Sequence, residues 1–243
     1  MVTGENANVA PLFTLKRIFD PAEPELMDRP QPVTPALERD LANLRAFNRR
    51  FGGHALVRHF VKRWLKPNTE ARVLDLATGS GDVPRLIASF ARQRNVRVAI
   101  DAIDQQGATI EIARSLSGEF SEVQFHCSDL FEWNPPEKYD IVLCSLALHH
   151  FSEHDAVRVL QRCAELSRGA VLVADLRRAR WLSWAIFLVT ATIHREPMTK
   201  VDARLSAARA FSFPEMRRLA EEAGWKNFGH KRFAVGRQAI WME

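Results

Sequence analysis

The chain has 243 residues, 47% of them hydrophobic, with 34 Lys and Arg against 29 Asp and Glu. That is enough apolar material for one large α/β domain with a small appendage, and it excludes wholesale disorder. The formal charge of +5 is spread along the chain rather than gathered into Lys/Arg blocks, which argues against a nucleic-acid partner. Cys127, Cys144 and Cys163 show no CxxC spacing and read as free thiols of a reducing cytoplasm. Residues 1–10 lack the basic-then-apolar pattern of a signal peptide, and no apolar run reaches transmembrane length.

Residues 1–35, rich in Pro, Asp and Glu, are predicted to form an irregular arm. Thr34-Pro35 then reads as N-cap and first helical residue, opening a helix to about Arg50. Gly52-Gly53 breaks it, and a second helix is predicted from about His54 to Leu65. From Ala71 onward β-rich runs alternate with helical patterns, the signature of a parallel sheet. The strands are placed at 72–77, 96–103, 122–127, 139–145 and 169–175, with helices at 82–93, 107–117 and 153–167. A last helix starts at Ser212, where Ser-x-x-Glu to Glu215 spells a capping box and Phe211 with Met216 a hydrophobic staple. Residues 225–242 read as two strands joined by a tight turn near Gly236. The predicted fold class is α/β: a doubly wound, mostly parallel seven-stranded Rossmann-like sheet with N-terminal helices. Residues 1–68 are expected to form the arm and covering helices and 69–243 the main domain, with 177–211 as a lid.

Chemistry concentrates at three strand ends. Val73-Leu74-Asp75-Leu76-Ala77-Thr78-Gly79-Ser80-Gly81-Asp82 is a strand running through a glycine turn into a helix, where backbone can approach a ligand closely. A dinucleotide site would want G-x-G-x-x-G, and position 84 is Pro. The next strand ends Ala102-Ile103-Asp104, where a carboxylate can accept both hydroxyls of a ribose. The third leads into Ser128-Asp129, suited to an exocyclic amine. Any one of these acids alone is an ordinary loop carboxylate or helix cap; together they outline one crevice at the carboxyl edge of an open sheet.

Here the residues resemble the class I S-adenosylmethionine-dependent methyltransferases, especially the ubiquinone/menaquinone-biosynthesis group. LDLATGSGDV is similar to that group's first motif, with Ala77 where many relatives have Gly. Asp104 through Ala113-Arg114 resembles the second motif and Ser128-Asp129 the third. Tyr139-Asp140-Ile141-Val142 followed by Leu148-His149-His150 resembles the fourth. The resemblance covers about residues 70–176 and fades over the first 50 and over 177–210. It implies S-adenosyl-L-methionine as cofactor, with Ala77, Thr78, Gly79 and Gly81 in the turn beside its methionine part. It further implies Asp75 at the ammonium, Asp104 at the ribose and Gln105 beside the adenine. Ser128 and Asp129 would meet the adenine amine, Leu130 its ring, and Ser145 the neighbourhood of the sulfonium.

On the acceptor side, His149, His150 and His194 are candidate acid/base residues, since imidazole titrates near neutral pH. For each, a histidine merely bonded to backbone is the competing reading. His150 and His154 share an i, i+4 spacing, but without further ligands no metal is expected. The apolar run from Trp181 to Ile193 is too short to span a bilayer. It reads either as buried core or as the wall of a pocket for an apolar acceptor, with interfacial membrane docking through its flanking arginines a lesser alternative. Asn134-Pro135-Pro136-Glu137 imitates the motif of amino-directed nucleic-acid methyltransferases, but it precedes the fourth strand and lacks the aromatic. The leading expectation is O- or C-methylation of a small, apolar or aromatic, polyketide- or quinone-like acceptor. Modification of tRNA or protein, and a non-catalytic cofactor-binding module, are the alternatives; a homodimer is compatible with all three.

Overall fold

The computed structural model describes residues 16–179 and 196–243. In chain order the elements are α1 Pro35–Arg50, α2 Gly53–Trp64, β1 Glu70–Leu76, α3 Asp82–Arg94, β2 Arg97–Asp104, α4 Gly107–Ser115 and β3 Val123–Cys127. There follow β4 Tyr139–Ser145, α5 Glu153–Leu166, β5 Ser167–Leu176, α6 Pro197–Arg209, α7 Phe213–Glu222, β6 Gly229–Phe233 and β7 Arg237–Met242. Every strand and helix named from the sequence is present within a few residues of its expected bounds.

The seven strands form one sheet in the order β3-β2-β1-β4-β5-β7-β6. The first five pair in parallel, and β7 runs antiparallel to both β5 and β6. Alternation along each strand feeds two apolar layers. Val73, Ile141 and Leu143 face α2, α3 and α4, packing on Phe60, Ile87 and Ile110. Leu74, Leu76, Val142 and Cys144 face the other way, onto Val159, Leu160 and Leu219 of α5 and α7. Each such aliphatic side chain contributes about 1.5–3 kcal/mol on leaving water. A sheet covered on both faces cannot bind a ligand there, so the crevice must open at the carboxyl edge. It does so where β1 has β2 on one side and β4 on the other, the point at which the winding reverses.

Local chemistry fixes the helix ends as the sequence spells them. Thr34 Oγ1 accepts from Leu37 N at 3.2 Å with Pro35 in the first turn. Ser212 and Glu215 close a reciprocal capping box, and the staple residues Phe211 and Met216 are both buried in one layer.

The segment following β5 departs from the sequence reading. It held only a lid over 177–211, whereas α6 occupies 197–209. Its inward residues explain the omission: Thr199, Asp202, Ala207 and Arg209 are buried while Val201 is 44% exposed, so there is no apolar stripe to read. The helix is held by polar contacts instead. Asp202 accepts from Leu26 N at 2.8 Å and Met27 N at 3.0 Å, and Thr199 Oγ1 donates to Asp40 at 2.6 Å. Ser206 Oγ donates to Glu25 at 2.8 Å. The described part of the arm, residues 16–34, is irregular as expected, apart from a 3-10 turn at Leu26–Asp28 that these bonds pin down. Trp181, Trp184 and His194 lie outside the described residues.

Candidate functional site

The turn after β1 is shaped by three left-handed residues, Ala77 (φ 54°), Gly79 (φ 55°) and Gly81 (φ 74°). Its backbone is tied to the neighbouring strand: Thr78 N donates to Ile103 O at 2.9 Å and Gly79 N to Asp104 Oδ2 at 2.9 Å. A side chain at Gly79 would meet nothing within 4 Å, so the turn leaves open space there. Gly81 serves differently. It caps α3, and a Cβ there would come within 2.7 Å of the Phe125 ring, so it packs the turn rather than walling the cavity.

Asp104 accepts from Gly79 N through one oxygen and from Gln106 N at 3.0 Å through the other. Each oxygen keeps a further lone pair. Burial raises this carboxyl above its usual range, against the pull of those two bonds. Asp75 is buried beneath the turn, accepting from Thr78 Oγ1 at 2.6 Å, and burial pushes it up to about 8. Ser128 N donates to Asp104 O, and Asp129 Oδ1 accepts from Phe131 N at 2.7 Å.

These residues surround a cavity of about 330 Å³. Asp75, Ala77, Thr78, Gly79, Asp104, Gln105, Ser128, Asp129, Leu130 and Ser145 all line it, so of the cofactor-side residues named from sequence only Gly81 stands back. The cavity continues under α1, along Leu41, Leu44, Phe47 and Phe51, and is bounded by Glu25 and Asp28 of the arm and by Ala203 and Ser206 of α6. Arg45 also lines it with a buried Nη1 that has no hydrogen-bond partner among the described residues.

His149 and His150 sit side by side past β4, their rings 4.2 Å apart. His149 is buried; its Nδ1 stands 2.7 Å from Asp175 Oδ1, and its backbone N donates to Asp175 Oδ2 at 2.9 Å. His150 Nδ1 stands 2.7 Å from Asp28 Oδ2. Burial opposes charge on His150, but Glu25 and Asp28 outweigh it and raise the group to about 10. Held between these two carboxylates, His150 favours its protonated form.

The His150–His154 spacing makes no metal pair, since His154 is exposed beside Asp155. The fold instead gathers Glu25 with His149 and His150, a grouping of ligand type that the sequence reading lacked. Glu25, Asp28, Arg45 and Asp175 were all missed. Asp175 had a signal: it stands near the end of β5, following an apolar run, as Asp104 ends β2. Glu25 and Asp28 had none, lying in an arm without periodicity.

The sheet order and the acid-bearing strand ends define an α/β Rossmann-like methyltransferase fold. Residues 73–169 match the family model described as a methyltransferase domain. Over 124 residues the chain is 32% identical to a ubiquinone biosynthesis O-methyltransferase of Rhodopseudomonas palustris (strain BisB5), covering 49% of this chain and 45% of that protein. Over 116 residues it is 30% identical to a demethylmenaquinone methyltransferase of Thermotoga maritima, covering 46% of each. The chain thus spans about half the length of the curated relatives it matches. Among solved structures, the plantazolicin methyltransferase BpumL in complex with SAH aligns with a TM-score of 0.62 at 13% identity, covering 85% of this chain and 90% of that one. Human N-acetylserotonin methyltransferase in complex with SAM aligns at 0.61 and 15% identity, covering 84% and 54%. At these identities the likeness is one of fold. The resemblance to class I S-adenosylmethionine-dependent methyltransferases read from the motifs therefore stands on sequence relatives and fold together.

Proposed function

We propose that the protein is an S-adenosylmethionine-dependent methyltransferase acting on an oxygen or carbon of a small apolar or aromatic acceptor. The observation that carries this reading is a continuous cavity, walled at one part by the ends of β1, β2 and β3 and at another by His149, His150, Phe151 and the apolar face of α1.

The donor set fits the cofactor chemically. Asp104 has lone pairs left for two ribose hydroxyls, and Asp129 and Gln105 offer acceptors beside Leu130 for an adenine. Buried Asp75 suits an ammonium group, and the unpartnered Arg45 Nη1 suits a carboxylate. The cofactor supplies a methyl group on a sulfonium, which leaves by in-line displacement. The chain's task is then to fix the acceptor in line and exclude water. The arm and α6 do this in the proposal, covering the cavity through Glu25, Met27, Ala203 and Ser206. Segment 177–211 is assigned to the acceptor side through α6, and residues 1–68 act as a cover on the main domain.

The test is transfer of labelled methyl from S-adenosylmethionine to a panel of lipophilic phenols and β-diketones. Label in an extractable product, with stoichiometric S-adenosylhomocysteine, is expected. Label appearing only in tRNA or protein, or cofactor binding without transfer to anything, would refute the small-acceptor reading.

A further inference from the structure

Two imidazoles and a carboxylate converge on the wall of the cavity. We infer that Glu25, His149 and His150 form a divalent-cation site of the nitrogen–oxygen donor type that suits zinc or a neighbouring transition ion.

The ligand atoms of these three residues all lie within 4.8 Å of one another. His149 Nε2 stands 3.8 Å from Glu25 Oε1 and His150 Nε2 4.0 Å from Oε2, too far for hydrogen bonds. Donors bound to a tetrahedral zinc at about 2.0–2.1 Å stand roughly 3.3–3.4 Å apart, so a bound ion would draw these atoms together by about half an ångström or more. Both Nδ1 atoms are already engaged, by Asp175 and by Asp28, each at 2.7 Å. A carboxylate on the far nitrogen fixes the ring and turns the other nitrogen toward a metal, the arrangement that supports histidine ligands in metalloproteins. Here it occurs twice, on adjacent residues.

Three carboxylates, of Glu25, Asp28 and Asp175, surround the two imidazoles, which give up a proton when they ligate. The guanidinium groups of Arg17 and Arg209 stand nearby, Arg17 donating to the carbonyls of His149 and Phe151 and Arg209 to those of Asp20 and Glu23. The third ligand is also preorganised, because Ser206 holds Glu25 and Asp202 pins the turn that follows it.

Three protein ligands leave a coordination position open, as in catalytic rather than structural sites. Glu25, His149 and His150 all line the cavity, so that position faces the same space as the donor residues. An acceptor hydroxyl bound there would lose its proton to water and present a phenolate or enolate oxygen. That role rests on the methyl-transfer reading; the cation site itself does not.

The experiment uses full-length, tag-free protein stripped with chelator and dialysed against zinc, with cobalt(II) absorption as a second probe. One bound equivalent is expected, with affinity weakened in Glu25→Gln and His150→Ala. Asp28→Asn, which leaves all three ligands in place, should weaken binding about 10–100-fold. His154→Ala should change nothing, and S-adenosylhomocysteine titrations on the same proteins report that each variant is folded. Substoichiometric binding, or wild-type affinity in Glu25→Gln and in His150→Ala, would overturn the site. Because cofactor binding is read separately, a failed metal titration beside normal S-adenosylhomocysteine binding overturns the cation site alone.

Discussion

The sheet half of the molecule, residues 70–176, and the arm-and-α6 half are built by different rules. In the first, apolar runs buried on both faces set the five parallel strands, and the chemistry sits where strands end. In the second, α6 is held by Asp202, Thr199 and Ser206 bonding to the arm and to α1, with almost no apolar stripe. Burying such polar groups is favourable only when each finds its partner. The arm's position is therefore specified by a few directional bonds, and the donor half by many interchangeable packing contacts. In the proposed enzyme, the robust half binds the cofactor and the exacting half selects the acceptor.

The largest effect expected within this comparison belongs to the donor half. Asp104→Ala removes a charge-assisted acceptor whose bonds are worth about 1.5–3 kcal/mol each. Calorimetry should show S-adenosylhomocysteine binding at least about tenfold weaker, and the melting temperature should fall as well, because Gly79 N and Gln106 N lose their acceptor. Next comes Asp202→Ala, which leaves the amides of Leu26 and Met27 without their acceptor, at a cost of about 1–3 kcal/mol in arm docking. Limited proteolysis of the arm should accelerate, and the acceptor KM should rise, while S-adenosylhomocysteine affinity falls far less than in Asp104→Ala. Equal loss of donor affinity in both variants would dissolve the division between the halves.

A pH-dependent effect concerns Asp75, held at about 8 by burial. An unfolded aspartate titrates near 3.9, about four units lower, so the folded state retains the proton longer. Stability from this group is therefore lost as pH rises from about 4 to about 8, and is level above that. Asp75→Asn keeps an acceptor for Thr78 and should flatten part of that decline, as read from urea midpoints at pH 5 and pH 8.5. An unchanged slope would show that Asp75 is ionised across the range. The smallest effect is at Ala77, a left-handed alanine, a conformation costing about 1–2 kcal/mol that glycine avoids at about 0.5–1 kcal/mol in chain entropy. Ala77→Gly should stabilise the protein by about 0.5–1 kcal/mol, measured by chemical denaturation.

What could be read beforehand follows the same division. Strand ends carrying Asp104 and Ser128-Asp129 were visible because short β-rich apolar runs alternating with helical patterns locate the strands of a buried parallel sheet. Thr34 and Ser212 were visible as caps because capping is local in sequence. Glu25 and Asp28 were invisible: their meaning depends on His149 and His150, more than a hundred residues away, and no periodicity announces such a meeting. α6 was invisible because its inward face is polar. Asp175 alone could have been found by extending the rule that located Asp104.

The central claim is that the crevice at the ends of β1, β2 and β3 is a donor site. The most direct measurement is isothermal titration of S-adenosylhomocysteine into the wild-type protein, alongside Asp104→Ala. The account predicts one site per chain with a dissociation constant of about 1 µM to tens of µM, near 6–8 kcal/mol, and marked weakening in the variant. No saturable binding at millimolar ligand, or full-strength binding to a folded Asp104→Ala protein, would contradict it.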